Sequence, residues 1–400
     1  MKTFMSWQSA RPRWPVTMTA LAAAHGGVLL AASAMAYDLS ETVHVHGFAS
    51  QAYVKTTDNR YFGPSDNDSG SFDFTELGLN LSWQALSNLQ FAGQVGYRKA
   101  GQTEASVLRL DYGLADFAFY NGVDSRAGVR AGRYRMPLGF YNTTRDVANA
   151  RPSILLPSVY SDASRNLLLS LDGGLAYWES RTSVGDFFLS GGAGQLVLDS
   201  DQKKIAKATT SYVAQLLYEL DGGRLRLALS GVDAKFDITL PPFQGAELDG
   251  KIYLLSAQYN AENWSLTGEI APDSTTSVSG VQPPLTSFNS TQKPANYYLQ
   301  GTYRLAPRWE ALLRYDVKYA DKDDKSGASY AATHVGVPAF SRFAKDWTAG
   351  LSWNVRPDTK IRAEWHHVDG TAWLSSTENP KPLNTTETWD LFALQASYNF

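Results

Sequence analysis

Phe392-Ala393-Leu394-Gln395-Ala396-Ser397-Tyr398-Asn399-Phe400 decides the fold class. Phe392, Leu394, Ala396, Tyr398 and Phe400 fall on one parity, and Ala393, Gln395, Ser397 and Asn399 fall on the other. Side chains of a strand point alternately to its two faces, so this segment predicts a strand with one oily and one mostly polar side. A long exposed apolar strand in water invites edge-to-edge pairing. The segment therefore predicts a strand whose oily side meets something other than water.

The same alternation recurs along the chain. Leu77, Leu79, Leu81 and Trp83 interleave with Gly78, Asn80 and Ser82, and Trp309, Ala311, Leu313, Tyr315, Val317 and Tyr319 with Glu310, Leu312, Arg314, Asp316 and Lys318. Leu89 to Tyr97, Ala214 to Leu220, Trp264 to Ile270, Tyr297 to Leu305 and Trp347 to Val355 follow suit. A sheet with one wet face gives any one of these. Aromatic residues on the oily parity of nearly every strand point to lipid.

Connections alternate in length. Short ones fall at 84–88, 121–124, 182–185, 221–223, 261–263, 306–307 and 356–358. Between them lie 57–70, 100–105, 136–172, 195–207, 235–249, 272–294, 320–344 and 370–387, most of them long and polar. Short turns at one end and long loops at the other mark a membrane barrel of about sixteen strands, with eighteen as the alternative. Trp83, Tyr218, Tyr259, Trp264, Tyr303, Trp309, Trp353 and Phe400 all sit beside short turns, where amphipathic rings favour a membrane interface.

Composition agrees. Charged residues make up 19% of the chain, below the roughly 25% of soluble domains. The absence of cysteine removes disulfides, thiolate metal sites and a cysteine nucleophile. Past residue 36 no apolar run approaches the roughly 20 residues of a membrane helix, which leaves a closed barrel as the way to pair every backbone group in lipid. Lys2, Arg11 and Arg13 precede an apolar stretch from Val16 to Ala32, and Ala34-Met35-Ala36 offers a cleavage site. Residues 1–36 therefore read as a cleaved secretory signal and 37–400 as one all-β domain, a transmembrane antiparallel β-barrel. The net charge of −3 becomes more negative without the leader, which argues against nucleic acid as a partner.

If the oily parity faces lipid, the other parity lines the interior. That set includes Arg98, Arg109, Asp111, Arg226, Glu269, Arg304, Glu310, Arg314, Asp316, Lys318, Arg362 and Glu364. Charges of both signs at membrane depth require water or partners. The 136–172 connection is unlike a surface loop, because Ile154, Leu155, Leu156, Val159 and Tyr160 form an apolar run among prolines. Exposed, it would cost roughly 25 cal/mol per Å². It is expected to fold into the barrel and narrow it, presenting Arg145, Asp146, Arg151, Asp162 and Arg165 to solute. Packing over a neighbouring subunit is the competing arrangement.

Gly132-Arg133-Tyr134-Arg135-Met136-Pro137-Leu138-Gly139-Phe140-Tyr141-Asn142, with Arg145-Asp146, Arg151-Pro152 and Leu156-Pro157, resembles proteobacterial outer-membrane porins of the general and phosphate-selective kind, as does Gly70 to Trp83. The terminal Phe400 with Tyr398 is similar to the C-terminal assembly signal of such barrels. The resemblance implies the outer membrane, with its lipid and lipopolysaccharide, the barrel assembly machinery, a trimer, and small hydrophilic solutes as partners. It implies a passive channel without cofactors. Basic residues outnumber acidic ones in the inward set, so a weak lean toward anions is expected. The alternative is a specific channel or receptor for phosphate or an organic acid. General porins carry an acidic inward loop, whereas this one mixes both signs, and no dense lysine cluster of the phosphate-selective kind is present.

Other chemistry is thinly represented. His44 and His46 share a strand face but lack a third ligand for a metal. His366 beside Glu364, with Ser352 expected on the neighbouring strand, superficially resembles a hydrolase set, though no motif supports a nucleophile. Asp66-Asn67-Asp68-Ser69-Gly70 lacks the closing Glu of a calcium loop, and Gly191 to Gly194 lacks the helix of a phosphate cradle. No metal site and no enzymatic activity are expected.

Overall fold

The computed structural model describes residues 37–102, 104–161, 165–198, 202–238, 244–282 and 286–400. The leader at 1–36 and Asp162 lie outside the described residues. A short β1 (Tyr37–Ser40) leads into β2 (Val43–Thr56), β3 (Ser71–Leu86), β4 (Leu89–Ala100), β5 (Glu104–Asn121) and β6 (Ser125–Arg135). After residues 136–169 come β7 (Ser170–Thr182), β8 (Gly185–Leu196), a short β9 (Ala206–Ala208), β10 (Thr210–Leu220), β11 (Leu225–Ile238), β12 (Gln244–Asn260) and β13 (Trp264–Ala271). A hairpin of β14 (Thr275–Gln282) and β15 (Thr286–Gln292) follows. It precedes β16 (Ala295–Ala306), β17 (Trp309–Tyr319), β18 (Phe343–Asn354), β19 (Thr359–Asp369) and β20 (Thr388–Asn399).

Setting aside β1, β9, β14 and β15, 16 antiparallel strands form one closed ring, because β20 pairs back onto β2 from Phe48 opposite Asn399 to Thr56 opposite Leu391. Closure leaves no edge among these strands and pairs their backbone groups, as lipid requires. Seven short connections, 87–88, 122–124, 183–184, 221–224, 261–263, 307–308 and 355–358, lie at one end. At the other end the long stretches are more ordered than a polar loop suggests. Within 272–294 lies the β14–β15 hairpin, which pairs with β12, and β11 and β12 run well into 235–249. No described helix is long and apolar enough to cross a membrane.

Parity follows the sequence reading. Leu79, Trp83, Leu313, Trp347 and Trp365 are exposed on the outside, whereas Arg314, Asp346 and His366 point inward and are 0% exposed. The outer surface is thus the apolar belt of a membrane barrel. Aromatic pairs gather at its short-turn rim. Trp309 and Trp353 stack at 5.4 Å and 4°, with Trp83–Phe91 at 5.5 Å and Tyr259–Trp264 at 5.4 Å. Phe400 exchanges backbone hydrogen bonds with Gly47, and its ring lies where a Cβ on Gly47 would stand, 2.4 Å away. Glycine at 47 is what lets the terminal ring close the seam.

Among the described residues three apolar clusters lie inside, and the two larger ones hold the long-loop half of the barrel. One joins Tyr134, Met136, Leu138 and Leu168 to Leu175, Val213 and Leu254 on the wall. The other packs Phe62, Ile154 and Leu155 against Phe74, Trp389 and Leu391. Segment 136–169 contributes to both, so it lies inside the barrel.

Candidate functional site

A segment that enters a barrel without regular structure must find partners for its own backbone. Here charged wall residues supply them. Glu364 on β19 accepts from the amides of Ile154 and Leu155, and Asp316 on β17 accepts from Ser158 N and Oγ, both at 2.7 Å. Glu269 on β13 accepts from Phe140 N at 3.0 Å, Tyr160 Oη at 2.6 Å, Tyr298 Oη at 2.7 Å and Ser256 Oγ at 2.6 Å. Carbonyls meet arginines in the same way. Arg362 donates to the carbonyls of Ala148 and Arg151, each at 2.6 Å, and Arg314 donates to Leu155 O at 3.1 Å and Ser153 Oγ at 3.0 Å.

The segment's own charges form the second layer. Arg151 grips Glu76 on β3 with two bonds of 2.9 and 2.6 Å, and Arg145 donates to Tyr160 O at 2.6 Å. Asp146 pairs with Arg165 and with Arg135 at the end of β6. Glu104 on β5 pairs with Arg98 and Arg165, and Arg109 lies 3.6 Å from it. Asp111 takes Arg109 at 2.9 Å and Arg135 at 3.5 Å. Asp146 lies on the infolded segment, off the membrane-spanning strands. Burial works to raise its carboxyl, but Arg135, Arg165 and Arg109 together hold it well below the usual carboxylate range.

The fifteen residues read as pore-lining thus divide. Arg98, Arg109, Asp111, Asp146 and Arg165 meet in one network, while Arg145, Arg151, Glu269, Arg314, Asp316, Arg362 and Glu364 hold the infolded segment to itself or to the wall. Arg226 stands apart, bonded to Glu219 at 2.7 Å and lying over the Phe140 ring. Arg304 and Glu310 face each other in register at the short-turn end, and Arg304 is exposed. Ser352 stands opposite Arg362, so the neighbour of His366 is Thr348 instead. His366 lies between Asp346 at 3.0 Å and Glu364 at 3.4 Å with no serine between them, which dissolves the hydrolase-like set. The Asp66 stretch is a turn in which Asp66 accepts from the Asp68 and Ser69 amides, and Gly191 to Gly194 lies within β8.

Sequence reading missed a group on β5, β6 and β7. Asp116 accepts from Arg130 Nε at 2.9 Å and Tyr177 Oη at 2.7 Å, and Arg130 lies over the Tyr177 ring. The signal was faint because Tyr177 and Trp178 are adjacent aromatics of opposite parity, and β6 carries Gly and Ala where a phase marker would sit.

No family model matches the sequence, and no curated protein matches it. Solved structures do resemble the fold. An anion-selective porin from Comamonas acidovorans is 15% identical, with a TM-score of 0.56, covering 90% of this chain and 99% of its own. OmpF of Salmonella typhi, in complex with daunomycin, is 16% identical at a TM-score of 0.56, covering 92% and 100%. A trimer form of OmpT, an outer membrane protein of Vibrio cholerae, is 11% identical at 0.54, covering 90% and 99%. The chain has the fold of Gram-negative outer-membrane porins.

Proposed function

We propose that this barrel sits in the outer membrane and conducts small hydrophilic solutes by passive diffusion. The observation that carries the reading is a closed sheet with an apolar outside and a charged inside, narrowed by an infolded segment. A weak lean toward anions is part of the proposal. Beside the infolded segment Arg98, Arg109, Arg135 and Arg165 stand against Glu104, Asp111 and Asp146, an excess of one positive charge. Such an excess in a narrow passage favours permeation of the opposite sign. Export through a cleaved leader at 1–36, insertion by the barrel assembly machinery, contact with lipopolysaccharide and assembly as a homotrimer complete the proposal. Two of the similar proteins are described as an anion-selective porin and a trimer form, which accords with it.

Purified protein added to a planar bilayer should give ohmic current steps, and a salt gradient should give a zero-current potential of mildly anionic sign. Absence of steps would overturn the channel, and a clear cation preference would overturn the lean alone. Saturable block by phosphate or an organic acid would favour the specific-channel alternative. Turnover of lipid or ester substrates would instead promote an enzymatic role, for which nothing in the described geometry argues.

A further inference from the structure

A cavity of about 450 Å³ lies beneath the infolded segment, walled by β4 to β8 and β10 and roofed by Pro137 and Thr143. That volume is within the roughly 300–1,000 Å³ of small-molecule sites. Its charged lining has no net sign, because Arg130 and Arg135 are matched by Asp116 and Glu179. Arg126, opposite Glu179 in register, is drawn over the Tyr177 ring with a terminal nitrogen 3.8 Å from Asp116, and it lies outside the lining. An anion entering the cavity meets Asp116 and Glu179, and a cation meets Arg130 and Arg135.

Hydrogen-bonding capacity of both kinds remains unspent there. Arg130 uses only its Nε on Asp116, which leaves its terminal nitrogens to the lumen. Glu179 accepts no hydrogen bond from a described residue. The Tyr134 hydroxyl is buried without a partner, in a position where a Cβ on Gly192 would crowd it at 2.7 Å. A buried hydroxyl without a partner is costly unless something meets it. Leu114 and Leu175 add apolar surface between the polar groups.

We infer that this cavity is a binding subsite for a neutral, hydroxyl-rich solute of about monosaccharide size. Each hydroxyl of such a solute both donates and accepts, which suits Arg130 and Tyr134 on one side and Glu179 on the other, and its C–H faces suit the leucines. The inference rests on the channel reading and names a solute class for it. Carbohydrate passing through would pause here, held by several hydrogen bonds without a charge to trap it.

Three probes of one pyranose skeleton test this: D-glucose, its carboxylate glucuronate, and protonated glucosamine. Each is added to the reconstituted protein while salt current is recorded. Glucose is expected to interrupt the current saturably and at lower concentration than either charged form. Glu179→Gln and Tyr134→Phe, confirmed as folded by gel mobility, should each raise the half-saturating concentration about threefold to tenfold, the effect of one weakened hydrogen bond. Tighter block by glucuronate or glucosamine overturns the neutral-solute assignment. No saturable glucose block, or no change in either variant, overturns the subsite while the channel stands. If the protein passes no current at all, the channel reading fails separately. Calorimetry of glucose with the detergent-folded barrel then decides the subsite, heat of binding supporting it and none overturning it.

Discussion

Replacing Arg151 by alanine removes the two bonds, 2.9 and 2.6 Å long, that tie the infolded segment to Glu76. Both side chains are 4% exposed or less, so this is a buried pair. Breaking such a pair from one side costs about 3–5 kcal/mol, because the remaining charge stays buried. Glu76 retains Arg98 at 3.3 Å and the Ser50 hydroxyl at 3.2 Å, which places the cost near the lower bound, about 3 kcal/mol. At 1.4 kcal/mol per factor of ten, local opening of the segment should become roughly 150-fold more frequent. Hydrogen exchange at the Ile154 and Leu155 amides, which are bonded to Glu364, reads that opening directly. Single-channel records should show larger or noisier steps in parallel. Adding Glu76→Gln to Arg151→Ala should recover part of the loss by neutralising the stranded carboxylate. Exchange at 154 and 155 within threefold of wild type, in a folded barrel, would refute the claim that this pair anchors the segment.

Gly47→Val places side-chain atoms where the Phe400 ring lies, and overpacking of this kind costs about 1–3 kcal/mol. The yield of folded barrel should fall, and Phe400→Ala in the same chain should not add to the loss; additive losses would show that the two residues do not share a space. Asp146 has its folded carboxyl depressed, so its contribution to stability is present above the ordinary value near 3.9 and is lost only as pH falls through the depressed one. The Asp146 carboxyl carbon should therefore keep its ionised NMR frequency from pH 7 to about pH 4, whereas a titration within that window would contradict the assignment. Arg109→Gln, beside Asp111 and Glu104, should shift the zero-current potential toward cations. Arg362→Met should leave that potential in place, because Arg362 spends its charge on two carbonyls and is 2% exposed; the reverse ranking would defeat the assignment.

Much of the barrel was legible because lipid imposes a strict rule on one parity of each strand. Leu77, Leu79, Leu81 and Trp83 on β3 and Trp309 and Leu313 on β17 are exposed as their alternation requires, whereas Val317 is buried. The inward parity obeys no equally simple rule. Trp389 and Leu391 point inward although apolar, since the loops and the infolded segment make that half of the interior a protein core. In β5 a register shift near Asp111 and Tyr112 resets the phase, so Leu114 and Asp116 face inward where plain counting from Asp111 selects Gly113 and Ala115. The β14–β15 hairpin was hidden because its strands are Ser- and Thr-rich on both faces, and a strand projecting beyond the membrane needs no oily side. Ser352 does lie on the strand beside that of His366, but opposite Arg362, because sequence gives parity within a strand and not register between strands.

The wall charges follow a pattern that composition alone conceals. Acidic side chains receive the amides of the infolded segment at Phe140, Ile154, Leu155 and Ser158, while arginines receive its carbonyls at Ala148, Arg151 and Leu155. Each sign is therefore dictated by a backbone dipole that would otherwise be buried without a partner. A carboxylate at 364 or a guanidinium at 362 is structural in that sense, and its sign reports on the segment before it reports on the permeating ion. Counting inward charges consequently overstates the field that a solute feels. The charges left to shape permeation are those whose partners are other side chains, where Arg109, Arg130 and Arg135 on β5 and β6 meet Asp111 and Asp116 on β5 and Asp146 on the segment. The two groups touch where Asp146 and Arg165 of the segment meet Arg135 on β6 and Glu104 on β5. A change at Asp116 or Arg130, which bond to each other and to Tyr177, can therefore alter what a solute meets without loosening the segment, whereas a change at Arg135 removes a tie to Asp146.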